Sequence, residues 1–328
     1  MEERPDGFED AALIAALADG WGLTVRAVTY RPVGFGSYHW SVRDDGGTDW
    51  FVTVDDLDRQ DGPRDDTFAA LDRALGTALA LRQDAGLEFV VAPVPTRSGA
   101  AVARLDPRYA VSVFPTVQGE AGRFGPHRPT DRAEVLDLLV ALHRATPLAG
   151  ARPARADPSL PDRAGLHDAL TALDRPWTGG PYADPTRRLL AGRADHVRRL
   201  LGDFDRQVAH VRAGASGWVV THGEPHPGNL IRHPAGLRLV DWETVRLAPP
   251  ERDLWLLTHG ADDADDLLRR YASATGRPVD PTALAHYRLR WELADIAGYV
   301  VELRGPHGTG ADTAASWRYL NGYLDAAP

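Results

Sequence analysis

Apolar and polar positions change their period partway along this chain. Asp10 to Leu17 is an Ala/Leu-rich run of helical character, after which Leu23–Tyr30, Tyr38–Arg43 and Trp50–Val54 are short and rich in β-branched and aromatic residues. Glycine-bearing turns separate these three, at Val33-Gly34-Phe35-Gly36 and Asp44-Asp45-Gly46-Gly47, and the order predicts an antiparallel meander. From Phe68 to Gln83 the helical period returns, with Phe68, Leu71, Leu75 and Leu79 on one side. Two further strand candidates follow, Phe89–Val91 and Tyr109–Phe114. Beyond Pro115 the pattern is mostly helical. Helices are predicted over Asp131–Arg144, from the Asp184-Pro185 pair to about Val211, from Asp280-Pro281 to about Arg304, and over Asp312–Leu324; each Asp-Pro pair reads as an N-cap followed by proline at the first helical position. Strand-like residues return only at Gly217–Thr221 and Leu237–Val240, and Gly150–Pro161, rich in Pro, Arg and Ala, reads as a connector.

This order predicts an α+β chain with a small N-terminal antiparallel sheet lobe, residues 1–114, and a larger, mostly helical C-terminal lobe, residues 115–328. A hydrophobic fraction of 43% and a charged fraction of 25% over 328 residues exclude disordered, collagenous and coiled-coil classes. No apolar run approaches the ~18 residues of a membrane helix, and the N-terminus lacks the basic-then-apolar order of a signal peptide, so a cytoplasmic protein with no membrane partner is expected. A net charge of −9 argues against a nucleic-acid partner and suits a cationic ligand. The absence of cysteine removes disulfides, thiolate nucleophiles and Cys-ligated metals. All 37 basic residues are arginine, so no mechanism here can use a lysine.

Candidate chemistry concentrates in Thr221-His222-Gly223-Glu224-Pro225-His226-Pro227-Gly228-Asn229-Leu230-Ile231, followed by Leu239-Val240-Asp241-Trp242-Glu243. An acid two residues after a His, an Asn five after the acid, and an Asp opening a turn after an apolar strand is the order of kinase catalytic and metal-binding loops. Phosphoryl transfer needs a carboxylate to orient the attacking hydroxyl, which assigns Glu224. It also needs hard oxygen ligands for Mg²⁺ against the nucleotide phosphates, which assigns Asn229 and Asp241. His222 and His226 flank Glu224, but Gly223, Pro225 and Pro227 forbid the helix on which a zinc protease presents two His.

These segments, together with Pro249-Pro250-Glu251-Arg252-Asp253-Leu254-Trp255, resemble the aminoglycoside phosphotransferase family, which is similar in fold to choline kinases and protein kinases. The resemblance implies a two-lobed protein-kinase-like fold and transfer of the γ-phosphoryl group of ATP, with Mg²⁺, to a hydroxyl of a small molecule such as an aminoglycoside or another antibiotic. It implies nucleotide contacts at Gly34 and Gly36 of the glycine turn, at Thr53 on the third strand, and at Ser112, Val113 and Phe114 near the connector. A nucleotide-binding pseudokinase with a regulatory or scaffold role stays open beside the enzyme.

Two departures from the family pattern stand out. Glu224 occupies a position where the family has Asp, and Phe51-Val52-Thr53-Val54 carries no lysine where the family has one, with Thr53 read as the occupant. Arg43 and Arg73 are the cations the sequence offers in its place. For the acceptor, Glu292, Asp295 and Glu302 fall within about 80° of one another on the predicted helix after Pro281 and would receive a cationic group, unless Arg288 pairs with Glu292 on a solvated face. The run Asp262-Asp263-Ala264-Asp265-Asp266 reads as a surface helix start.

Overall fold

In the computed structural model, which describes residues 1–5, 7–34, 36–58, 62–214 and 217–325, the strands expected ahead of Pro115 form one antiparallel sheet. Its members are β1 (Val25–Arg31), β2 (Tyr38–Asp44), β3 (Asp49–Asp56), β4 (Ala103–Arg104) and β5 (Tyr109–Pro115), in spatial order β1-β2-β3-β5-β4. Alternation sorts the side chains onto two faces. Trp40, Val42, Val52, Val54, Val111 and Val113 bury against Leu13 and Leu17 of α1 (Asp10–Trp21). His39, Thr53 and Ser112 are opposite one another in register and share the other face. Phe35 of the glycine turn lies outside the described residues.

One expected strand does not form. Phe89–Val91 makes a single parallel bridge, Val90 to Leu239, and is pinned there by Leu239 N–H donating to Phe89 O (2.8 Å) and Val91 N–H donating to Leu239 O (3.0 Å). The turn in which Val90 N–H bonds Leu87 O precedes it, and Pro93 and Pro95 remove the donors that a longer ladder would need. The two residues Ala103–Arg104 take the edge position instead. α2 (Arg64–Gln83) starts a turn ahead of Phe68, with Asp65 and Asp66 at its N-terminal end, where the helix dipole favours acids.

The chain divides into two compact units, Met1–Ala156 with Gly217–Val279 and Asp157–Ser216 with Asp280–Pro328. After the sheet, the first unit continues with β6 (Glu120–Ala121), α3 (Arg132–Arg144) and α4 (Thr146–Ala149). The second unit takes α5 (Arg163–Thr171) and α6 (Ala183–Ala213). The first resumes with β7 (Val219–Thr221), β8 (Leu230–His233), β9 (Gly236–Leu239), β10 (Arg246–Ala248), α7 (Glu251–Thr258) and α8 (Ala264–Thr275), and the second closes with α9 (Pro281–Arg304) and α10 (Ala311–Asp325). In the first unit β6, β8 and β9 form a small sheet, β7 pairs with β10, and α3 packs on β7, α7 and α8. In the second, α5, α6 and α10 surround α9 over a core that includes Leu166, Leu190, Val197, Ile296, Val300 and Leu320.

The two Asp-Pro signals resolve differently. Asp280 is an N-cap, its carboxylate accepting from Thr282 N (2.8 Å) and Ala283 N (3.3 Å). Asp184 is not. α6 begins one residue earlier, with Tyr182 as N-cap, and Asp184 pairs with Arg187 and Arg188 inside the first turn. The acidic run opens α8 as expected, with Asp262 and Asp263 both paired to Arg132. Among the described residues no helix is long and apolar enough to cross a membrane.

Candidate active site

A buried carboxylate shapes the loop that carries Glu224. Asp253, at the start of α7 and fully buried, accepts from the backbone N–H of His222 (2.9 Å) and of Gly223 (2.6 Å) and from His143 Nε2 (3.0 Å). Burial alone would raise its pKa, but the His143 hydrogen bond and the nearby Arg252 guanidinium outweigh it and hold the carboxyl below the ordinary range. The Tyr271 hydroxyl, 2.8 Å from His143 Nδ1, completes the chain.

His222 is locked as firmly. Its Nε2 lies 2.9 Å from Val240 O, and its Nδ1 is the acceptor for Glu224 N–H at 3.2 Å. A carbonyl can only accept, so Nε2 carries the proton and the ring is neutral. Burial lowers its pKa to about 4. The imidazole thus ties Glu224 to Val240, the residue before Asp241, and the Trp242 ring meets it edge-on at 4.7 Å.

Asn229 joins the remaining parts. A single 3₁₀ turn, Pro227–Asn229, brings its amide to donate to Glu224 O (3.0 Å), and it also donates to the Asp241 carboxylate. Asp241 stands in the left-handed region, φ 68° and ψ 63°, one of two described non-glycine residues with positive φ. Such strain persists only where the surroundings over-determine it, here by the β9 ladder before it and the Trp242–Thr244 turn after it. Asp241 is exposed to solvent, yet enough protein surrounds its carboxyl to push it above the usual range.

Around Asp241 the structure gathers acids that the sequence reading did not single out. Asp55, two residues beyond Thr53 on the same face of β3, accepts from Ser37 Oγ at 2.6 Å. Its carboxyl is pushed up to about 6, first by burial and then by Asp241. Glu243 is pushed well above the ordinary range by burial, and then by Asp241, Asp55 and Glu224. Asp55, rather than Thr53, is therefore the β3 residue brought beside Asp241. The alternation signal that could have found it was present, since positions 51, 53 and 55 share one face.

The donors at Asn229 and Asp241 are all oxygens, which suits Mg²⁺, an ion that keeps most of its waters and takes only one or two protein carboxylates. Among the described residues no group of three His, Asp or Glu could hold a metal ion by itself.

Other sequence-predicted residues fall as follows. Gly34 and Gly36 both have positive φ, 71° and 106°, which glycine alone adopts without cost. Thr53 Oγ1 lies 3.2 Å from His39 Nδ1. The Ser112 hydroxyl is buried on the same face and makes no hydrogen bond. Val113 turns its side chain into the α1 core, so only its backbone could meet a ligand, and Phe114 is half-buried. Arg43 is bound to Asp49 by two hydrogen bonds of 2.8 and 2.7 Å at the exposed end of the β2–β3 hairpin, opposite the glycine turn, and cannot stand in for lysine.

The three acids on α9 all lie in the second unit. Asp295 accepts from Tyr323 OH at 2.5 Å and has its pKa raised by burial. Glu302 accepts from Ser316 Oγ through both oxygens. Glu292 forms no ion pair with Arg288 among the described residues.

The chain is similar to known phosphotransferases in sequence and fold. The family described as "Phosphotransferase enzyme family" matches residues 28–288. Protein StrN of Streptomyces griseus is 34% identical over 259 residues, which cover 74% of this chain and 74% of that protein. Among solved structures, spectinomycin phosphotransferase APH(9)-Ia in complex with ADP and spectinomycin aligns with a TM-score of 0.75 at 16% identity, covering 97% of this chain and 95% of that one. Choline kinase LicA from Streptococcus pneumoniae aligns with a TM-score of 0.56 at 15% identity, covering 97% and 99%. At such identities the likeness is one of fold, and the fold is kinase-like.

Proposed function

The chain belongs to the phosphotransferase enzyme family, and from that premise we propose that it moves the γ-phosphoryl group of ATP to a hydroxyl of a small molecule, with Mg²⁺ as cofactor. The observation that carries this reading is the single network in which Asn229 ties the backbone of Glu224 to the carboxylate of Asp241. This supports a general base at Glu224 and a metal ligand at Asp241, both on segments held by Asp253 and His222.

In this reading residues 1–114 hold the nucleotide, with Gly34 and Gly36 letting the backbone approach the phosphates and Thr53, Ser112, Val113 and Phe114 meeting the nucleoside. Residues 115–328 supply catalysis and acceptor contacts. Glu224 orients the acceptor hydroxyl and takes its proton as the oxygen attacks phosphorus and the bond to the β-phosphate oxygen breaks. Asn229 and Asp241 would hold Mg²⁺, which supplies positive charge against the phosphate oxygens. The unpartnered Ser112 hydroxyl supports a polar nucleotide contact on that face, since a buried hydroxyl without a partner is costly.

For the acceptor we favour a cationic small molecule, and an antibiotic in particular. Glu292, Asp295 and Glu302 are its candidate contacts. Of these Asp295 has the clearest case, a carboxylate held by Tyr323 among Trp291, Tyr299 and Tyr323 with no cation in ion-pair reach among the described residues. The solved phosphotransferase above carries spectinomycin, which supports this acceptor class by analogy of fold.

The test is ATP consumption measured against aminoglycosides, other antibiotics, nucleosides and amino alcohols, with Glu224→Gln run in parallel. Turnover of at least one acceptor is expected, with kcat about 10²–10⁴-fold lower in Glu224→Gln and nucleotide binding kept. ATP binding without turnover of any acceptor would return the chain to a scaffold role, and near-normal kcat in the variant would remove Glu224 from catalysis.

A further inference from the structure

Several arginines in the first unit are neutralised: Arg108 pairs with Asp56, Arg132 with Asp262 and Asp263, and Arg43 with Asp49. Of those that are not, three are drawn together. Arg73 on α2, Arg246 on β10 and Arg252 on α7 have no carboxylate in ion-pair reach among the described residues. The donors they do commit go to neutral oxygens. Arg246 Nη1 donates to Glu243 O (3.1 Å) and Val245 O (2.7 Å), while Arg252 donates from Nη1 to Thr221 Oγ1 (2.9 Å) and from Nη2 to Thr244 O (2.9 Å).

The three come from separate elements to one place. Arg246 is the register partner of Thr221, the residue that Arg252 also holds. The Arg252 guanidinium occupies the space over Gly223 where a side chain would stand. α2 packs on the Trp242–Thr244 turn that leads into β10, which brings Arg73 to the same junction. Half-buried Arg246 is destabilised as a cation by burial, then by Arg252 and Arg73, with only Glu243 opposing. Asp253 also reaches Arg252 electrostatically, but its oxygens are engaged by His222, Gly223 and His143.

We propose that Arg73, Arg246 and Arg252 form a binding site for a small tetrahedral oxyanion of the phosphate type, where α2 meets the segment after Asp241. Like charges drawn together without an ion-paired carboxylate are unfavourable, and an oxyanion removes that cost. Guanidinium groups suit it because each presents a planar fork of donors that matches two oxygens, and Arg246 keeps Nε and Nη2 uncommitted. Bound there, the anion would link α2 to the turn directly behind the metal-site aspartate, bracing both. Arg73 is also the remaining cation for the missing lysine's place, and saturating Mg·ADP distinguishes the two roles.

The experiment is thermal unfolding of the full chain with inorganic phosphate, at ionic strength held constant with potassium chloride, repeated with saturating Mg·ADP. At phosphate tenfold above its Kd the wild-type Tm should rise by about 3 °C. The rise should persist with Mg·ADP and be lost in Arg73→Gln, a variant of an exposed side chain with no partner that could misfold the loop. Arg246→Gln should lose it too, and Arg246→Lys should keep only part of it. A rise that Mg·ADP abolishes would place phosphate at the nucleotide site and overturn the proposal. So would an equal rise in Arg73→Gln, or none in the wild type. Failure of ADP to bind would count against the nucleotide reading alone, because the arginine variants still decide this one.

Discussion

Replacing Asp253 tests whether the buried acid builds the catalytic loop. In Asp253→Ala two backbone N–H groups, of His222 and Gly223, and the His143 Nε2 proton lose their acceptor inside a region closed to water. Hydrogen bonds to a charged group contribute about 1.5–3 kcal/mol each, and removing one partner of a buried charged network costs about 3–5 kcal/mol in all, because the terms are not additive. We expect about 4 kcal/mol, which for a unit of this size is a fall in Tm of about 10 °C. Asp253→Asn should cost nearly as much. It is isosteric, but all three partners are donors and the amide nitrogen would confront one of them. The pH profile gives a second readout. The folded carboxyl lies below its unfolded value, so its stabilisation is complete above about pH 4 and is lost as pH falls through the folded pKa. Both variants should lack that acid-sensitive contribution. Calorimetric unfolding from pH 3 to pH 7 measures both effects. A Tm within about 2 °C of wild type in Asp253→Asn would refute the argument.

Asp241→Ala should abolish the Mg²⁺ dependence of nucleotide binding, and calorimetric titrations that keep that dependence would sink the metal assignment. Gly223→Ala should destabilise by about 2 kcal/mol, because φ is +103° and the new methyl meets the Arg252 guanidinium; a denaturation midpoint equal to wild type would count against it. Nucleotide binding without metal should be weak, and Asp55→Asn should tighten metal-free ATP binding about tenfold by removing a charge beside the phosphates. Sub-micromolar metal-free binding in the wild type, or no change in the variant, would contradict this.

How much of this was legible in the sequence depends on the range of the interaction. The β2–β3 hairpin, the Asp280 cap and the Glu224-to-Asn229 spacing are local, and periodicity or turn chemistry reveals them. Asp253 was visible only as part of an acidic helix. Its partner His143 lies 110 positions away, and no pattern within a window reports such a contact. Phe89–Val91 looked like a strand because β-branched composition does not reveal whether a partner ladder exists. Asp55 lies two residues beyond Thr53, and the alternation that places both on one face is the local signal for it.

The position of Asp55 changes what nucleotide binding must consist of. A lysine on the third strand brings one positive charge to the α- and β-phosphates whether or not metal is present. Here that strand presents Thr53, neutral and engaged by His39, and Asp55, anionic and close enough to Asp241 and Glu243 to raise their energies in concert. Two unit charges about 5 Å apart interact by about 3 kcal/mol at an effective dielectric of 20, so adding triphosphate to such a cluster is opposed at every step. Backbone amides of the Gly34–Gly36 turn contribute partial charges only. The groups that can reverse the sign of the local field are therefore Asn229 and Asp241 through the cation they would hold. Under the proposed function, metal and nucleotide would then be thermodynamically coupled ligands: each would supply the charge that the other needs in order to bind.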